Sequence, residues 1–504
     1  MVSPWWPHRP WSTMAGLAAG GVVVAAALAT GESALALALP LLLGVAALLA
    51  WVGRPKLVLI GALFFMGPID ISKALVPPLD QFYSPGLYLT VGHVVLLALL
   101  TVWLGWRLVV QQRLPPLRAL DVWVLVFLLA VWVGALRSAQ GTLAIASAVS
   151  YTLAVMAYYV ASHGLDDARE WRMALRACAA VVLLQLVYVL LQFVAKSPLS
   201  LPGSKLQGLG GVLSFGGIAQ VFRPSGFLEH PNALANHVAL VMPPAFALIL
   251  LGRQRLPRAV WWTALATFGA AAAQLLLSLS RGGWISVSAG LLLVVAVYWR
   301  RRLLGHRQIA AGAAGLVLVL AAVVAAYPSL LLRLTAPDDR ATESRLILNN
   351  QAIAIIETAP LLGVGFGGYN RAAYETIAPA FALISPEYQQ SLLRLVVHNH
   401  YLLLAAELGI PAALFFLLLM LAFVRLPWSV RRWQDPALYA LAIGLAGSVV
   451  AQLVFLNSDN YYADIRVFLM WLTLGMLHGV CRCARQSETA EATAPAPVHA
   501  GAAA

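Results

Sequence analysis

Charge is scarce in this sequence. Lys, Arg, Asp and Glu make up 11% of the 504 residues, where a soluble domain carries about 25%, and that scarcity excludes an ordinary water-soluble enzyme. Cysteine is scarcer still: Cys178, Cys481 and Cys483 complete the set. Two of them sit together near the C-terminus, so they frame neither a disulfide scaffold nor a four-ligand zinc site. No GxxxxGK[ST] phosphate loop occurs, which argues against ATP-driven transport by this chain itself. The formal charge of +13 is carried by too few residues to build the dense basic face that nucleic acid requires, so no nucleic-acid partner is expected.

Hydrophobic residues are abundant, at 61%, and they fall into blocks of membrane-spanning length. Spans are expected near 14–30, 34–52, 57–68, 87–106, 120–136, 141–161, 174–195, 232–251, 259–279, 282–299, 309–326, 400–424, 437–456 and 466–481. The third is short, and closely spaced pairs count imperfectly, so the expectation is 12–14 transmembrane helices in an all-α, polytopic membrane protein. The blocks are apolar on every face, unlike the alternating strands of an outer-membrane barrel. Arg54/Lys56, Arg107/Arg113/Arg118, Arg253/Arg255/Arg258, Arg300/Arg301/Arg302/Arg307 and Arg425/Arg431/Arg432 occupy alternate loops. By the positive-inside rule those loops are cytoplasmic. Both termini then lie inside, and the long loops 196–231 and 327–399 face outward. The expected organisation is N-terminal spans in 1–195, an outer loop at 196–231, central spans in 232–326, a long outer loop at 327–399, C-terminal spans in 400–481, and a disordered cytoplasmic tail at 482–504. The first apolar run has no convincing cleavage site and is expected to stay as a helix.

The long outer loop has structure of its own. Glu343 to Thr358 reads as a helix with Leu346, Ile347, Ala354 and Ile355 among its apolar positions, stopped by Pro360 and Gly363. Gly363-Val-Gly365-Phe-Gly367-Gly368 matches the letters of a dinucleotide fingerprint but lacks the strand before and the helix of a βαβ unit around it. It reads as a tight turn that allows close backbone approach.

Three polar clusters interrupt the apolar blocks at one membrane level. Arg223-Pro-Ser-Gly-Phe-Leu-Glu-His230-Pro-Asn232 leads into one span, Ser280-Arg281-Gly-Gly forms the turn into another, and Arg394-Leu-Val-Val-His398-Asn399-His400-Tyr401 opens a third. One arginine at a helix end has a plain explanation, snorkelling to lipid phosphates. Convergence of Arg223, Arg281 and His398 suggests more. Guanidinium groups make bidentate bonds to phosphate oxygens, and a histidine accepts a proton from a hydroxyl near neutral pH. His400, two residues beyond His398 on a helix, faces elsewhere and is expected behind the site. His230 reads as a helix cap that also lines the site. Asp338-Asp339 reads as a solvated turn, and Asp459 or Asp464 as the partner of an arginine such as Arg466 rather than as a catalyst.

His398-Asn399 followed at the same spacing by Gly409 resembles the O-antigen ligase signature. Ala412 replaces that signature's second glycine. Arg223 with its Ser-Gly and His-Pro-Asn, Ser280-Arg281-Gly, and Arg345 followed by Pro360-Leu-Leu-Gly-Val-Gly-Phe-Gly extend the resemblance over roughly 220–480. The resemblance implies a GT-C-like membrane glycosyltransferase whose donor is an O-antigen glycan on undecaprenyl diphosphate. In a ligase the acceptor is lipid A–core at the periplasmic face of the inner membrane. It implies His398 as general base, Arg281 and Arg223 on the departing diphosphate, and Arg345, Arg394, Asn399, His400 and His230 around the substrates. No cofactor or metal is expected, and the chain has no Asp-x-Asp. O-antigen polymerase, protein O-oligosaccharyltransferase and a lipid-linked glycan transporter remain as alternatives.

Overall fold

The structure, a computed structural model, describes residues 55–76, 86–199, 212–215, 219–308, 310, 314, 324–325, 341–381, 396–461 and 465–492. The spans expected at 14–30 and 34–52, most of 309–326, and Arg394, Asp338, Asp339 and Asp464 lie outside the described residues. The chain is a helical bundle. Its helices are α1 (Pro55–Met66), α2 (Val91–Trp106), α3 (Ala119–Arg137), α4 (Thr142–His163), α5 (Ala168–Ala195), α6 (Pro231–Leu251), α7 (Arg258–Ser278), α8 (Arg281–Arg300), α9 (Ala341–Thr358), α10 (Tyr369–Phe381), α11 (His400–Leu408), α12 (Ile410–Arg425), α13 (Pro436–Phe455) and α14 (Ile465–Ala492). Among the described residues ten helices are long and apolar enough to cross a membrane.

Local chemistry starts these helices where apolar sequence begins. Thr90 and His93 form a reciprocal capping box on α2, Asp167 accepts from Arg169 and Glu170 N–H groups to cap α5, and Asp435 caps α13. Burial then separates centre from rim. The apolar window of α14 is 89% buried, against 33% for α3 and α7. Outer helices present residues such as Leu129 and Val187 to their surroundings, as lipid-facing surfaces do. In the centre α14 packs against α4, and α13 packs against α6 and α8. Small residues allow this closeness: a Cβ on Gly444 of α13 would lie 2.3 Å from Pro244 Cα of α6. At one end of the bundle Asp166 gathers Lys56, Arg107 and Arg482 at 3.4, 3.4 and 3.2 Å.

Five features differ from expectation or add to it. The block at 87–106 begins as strand β2 (Leu87–Thr90), which pairs antiparallel with β1 (Ser72–Val76) before α2 starts. A second hairpin joins β3 (Val212–Phe215) and β4 (Ala219–Phe222). The span expected at 400–424 is two helices, because Gly409, at φ +87°, breaks it between α11 and α12. The last helix does not stop at 481. It runs to Ala492, through the start of the expected tail, because Arg482 anchors it on Asp166 and on the carbonyls of Ser162 and Leu165. Finally, α9 forms where expected but buries Leu348, Ala352 and Ile355, leaving Leu346 62% exposed. That spacing of four and three residues selects one helical face that packs on α11.

Candidate active site

The turn 456–461, between α13 and α14, is where the polar clusters meet. Asn399 caps α11 by accepting from the Tyr401 and Leu402 N–H groups, and its Nδ2 donates to Asn457 Oδ1 at 3.0 Å. Asn460 Nδ2 donates to the Val397 carbonyl at 3.0 Å, and the His400 N–H donates to the Leu456 carbonyl at 2.8 Å. The segment carrying His398 is therefore bonded to the turn from three sides. Gly282 of the Ser280-Arg281-Gly turn is seated against the 456–461 turn, where a Cβ would lie 2.6 Å from Ser458 Oγ. Beneath it, Asn236 of α6, Gln452 of α13 and Tyr461 form a buried hydrogen-bonded group, with Asn236 Nδ2 to Gln452 Oε1 at 2.8 Å. These buried bonds between α6, α13 and Tyr461 hold the turn in position.

Asp459 occupies the middle of this turn. One carboxylate oxygen lies 3.6 Å from His398 Nδ1, and the other accepts from Arg466 Nη1 at 2.9 Å. The Asn460 N–H also donates to it. Burial alone would raise the Asp459 pKa, but Arg466, His398 and the Asn460 N–H together hold it well below the usual carboxylate range. It is thus an anion beside a histidine whose side chain is 36% exposed. With Nδ1 turned to the carboxylate, the Nε2 lone pair is the ring's remaining basic position.

Arg223 reaches the same level from the loop before α6. Its Nε donates to the Ser278 carbonyl at 2.6 Å and its Nη2 to Asn232 Oδ1 at 3.0 Å. Ser278 ends α7, three residues before Arg281, so the loop and the α7–α8 turn are tied together. The loop itself is held by Gln192 of α5, whose Oε1 accepts from the Ser225 and Gly226 N–H groups, and by Phe227 stacking on Tyr188. The Asp70 N–H, between α1 and β1, donates to the Phe227 carbonyl at 3.1 Å. Ser280 caps α8 by accepting from the Gly283 N–H, which leaves half-buried Arg281 at that helix's first position.

Residues 265–417 match the family model described as O-antigen ligase. Over this segment the chain is similar to the O-antigen ligase family, which supports a place in the O-antigen ligase/polymerase superfamily. No curated protein matches it. The ten apolar helices and the family match support a multi-pass membrane protein, and the matched family suggests a glycosyltransferase-like enzyme with lipid-linked polysaccharide substrates. The matched segment includes Arg281 and His398; Asp459, beside His398, and Arg223, bonded to the Ser278 carbonyl, lie outside it.

Two further sequence candidates, His230 and His400, lie beside the turn. His230 caps α6, accepting from the Asn232 N–H at 3.1 Å. Burial, then the neighbouring Arg223 cation, pushes its pKa down to about 4, so it is neutral near pH 7. His400 is buried behind the turn, where Nδ1 faces the Tyr461 N–H at 3.4 Å. Arg345 is exposed on α9. Arg394 lies outside the described residues. Sequence reasoning paired Asp459 with Arg466, as the structure does, but missed its contact with His398. The available signal was an acidic residue kept at a membrane boundary, where ionisable groups are costly. An apolar cavity of about 180 Å³, lined by Phe64, His237, Thr267 and Met476, lies elsewhere between the helices and includes none of these residues.

Proposed function

We propose that the protein is an O-antigen ligase, which transfers O-antigen polysaccharide from undecaprenyl diphosphate to a sugar hydroxyl of lipid A–core at the periplasmic face of the inner membrane. The observation that carries the reading is Asp459, buried and anionic, 3.6 Å from His398 Nδ1 in a turn shared with the Arg281 segment.

The acceptor hydroxyl gives its proton to His398 Nε2 as its oxygen attacks the anomeric carbon of the donor. The bond from that carbon to the diphosphate oxygen breaks, and its electron pair leaves with undecaprenyl diphosphate. Attack opposite the leaving group inverts the anomeric configuration. Asp459 stabilises the imidazolium that forms, and the 3.6 Å contact, long for a hydrogen bond, shortens as that charge develops. Arg223 and Arg281 offset the charge gathering on the diphosphate. Arg223 is already fixed by Ser278 and Asn232, so little reorganisation accompanies the reaction. Asn399 and His400 set the direction of His398, His230 presents a neutral ring, and Arg345 and Arg394 belong to the outer approach of the substrates. No step calls on a metal ion.

The test is the lipopolysaccharide profile of a deletion strain carrying either wild type or His398→Ala. The expected result with His398→Ala is bare core with lipid-linked polymer accumulating, a loss of about 10²–10⁴-fold in transfer. Core bearing a single repeat unit would instead identify a polymerase. Full ligation by a well-expressed variant would remove His398 from the mechanism.

A further inference from the structure

A second group of titratable side chains lies inside the bundle, apart from the turn at 456–461. Asp121 of α3, His163 of α4 and His478 of α14 are 2%, 3% and 1% exposed. Ionisable groups within a membrane bundle are costly and tend to serve a function. His478 is thirteen residues into α14, about 20 Å along the helix from the end that carries Arg466. The charge pattern of the loops assigns this end to the cytoplasm.

We propose that Asp121, His163 and His478 bind a divalent transition metal, with zinc the ion that best suits their donors. His163 Nε2 lies 3.0 Å from Asp121 Oδ2, and His478 Nδ1 lies 3.4 Å from Asp121 Oδ1. One ligand atom from each residue falls within 4.8 Å of the others. Tetrahedral zinc with bonds of about 2.0–2.2 Å sets its ligand atoms roughly 3.3 Å apart. Each His–Asp separation, one to either carboxylate oxygen, is therefore already close to such an edge length, so binding asks for only a small turn of the carboxylate. Tyr158 Oη, 2.7 Å from both Asp121 Oδ1 and His478 Nδ1, is a hydrogen-bond partner that holds these two donors together, and the fourth position is left to water.

Imidazole and carboxylate donors select zinc-like ions over magnesium or calcium, which prefer all-oxygen shells. The surroundings hold the donors in place. The Arg118 N–H donates to Asp121 Oδ2 at 2.8 Å, Tyr159 lies against the His163 ring at 4.7 Å, and Tyr158 stacks on His478. Binding takes the two ring nitrogens that face the carboxylate as metal ligands, with each ring's proton on its other nitrogen. Three helices distant in sequence are then joined at one point. The site is a staple on the central helix α14, and its loss acts on stability before chemistry.

The full chain, purified in detergent and stripped with a chelator, is titrated with Co2+ and then with Zn2+. The expected result is the visible absorption of four-coordinate cobalt at about one ion per chain, displaced by zinc, with a higher melting temperature when zinc is bound. His163→Gln and His478→Gln each abolish both signals. X-ray absorption of the zinc-loaded wild type gives a nitrogen and oxygen shell with imidazole scattering, a readout that holds even where a variant fails to fold. Absence of the cobalt bands overturns the proposal and leaves a hydrogen-bonded Asp–His–Tyr group. So do cobalt bands unchanged in both variants, or a sulfur shell from Cys481 and Cys483.

Discussion

His398 owes its orientation to a residue 61 positions away in the chain, and the two side chains predict different losses. Asp459→Asn keeps the size and the bond to Arg466 but removes the negative charge beside Nδ1. The expected outcome is a fall in turnover of roughly tenfold or more, smaller than that of His398→Ala, with donor KM little changed; steady-state transfer with purified protein measures both. Arg466→Lys keeps part of the activity that Arg466→Ala loses, because a cation still faces Asp459. His230 carries a pH signature. Its pKa of about 4 in the fold lies below the ordinary value near 6.5. The unfolded chain therefore binds more protons between those values, and stability falls as pH drops below about 6.5. His230→Asn keeps a capping side chain without the titration. At pH 5 thermal unfolding should show it recovering on the order of 1 kcal/mol relative to wild type. The residue types at the site were legible because polar residues stand out against apolar blocks. The Asp459–His398 pairing was not, since nothing in local spacing says which turn closes over which helix start.

At the scale of elements, Gly409 turns an apolar run into two helices and locks it to the glycine turn at 363–368. The Val364 and Gly365 N–H groups donate to the Ala406 and Glu407 carbonyls at 2.9 and 3.0 Å, and the Ile410 N–H donates to Pro360 at 2.8 Å. Buried Glu407 also accepts from the Tyr369 N–H. A Cβ on Gly409 would lie 2.2 Å from the Leu361 carbonyl oxygen, at a positive φ that side chains disfavour. Gly409→Ala should therefore cost about 1–3 kcal/mol, seen as a lower melting temperature and loss of monodisperse protein, and it should reduce transfer by displacing α11 and His398. Sequence reading identified close backbone approach in the glycine turn, and the structure supplies its partner. It also read one span from 400 to 424, because hydrophobicity continues across Gly409-Ile-Pro411 and only the docking of residues 360–365 explains the break. The hairpin at 72–90 was hidden for a similar reason: β2 is as apolar as the helix it precedes.

For the whole molecule, the helical membrane class was legible from composition, because apolar blocks of spanning length leave few other folds. Which helices are central was not, since α3 and α14 are both apolar and only packing makes one peripheral and the other buried. The sidedness of the reaction rests on charge asymmetry, and it makes a prediction independent of chemistry. Glu357, exposed at the end of α9, lies in the long loop assigned to the periplasm, whereas exposed Gln254, between α6 and α7, lies in a loop flanked by Arg253 and Arg255. In a chain with Cys178, Cys481 and Cys483 replaced by serine, Glu357→Cys should react with a membrane-impermeant maleimide once the outer membrane is opened. Gln254→Cys should react only after the inner membrane is broken. Labelling in the reverse order would put His398 and Asp459 on the cytoplasmic side. A periplasmic ligase reaction would then be impossible however well the site performs chemistry, so this measurement bears on the function as directly as any substitution within the site.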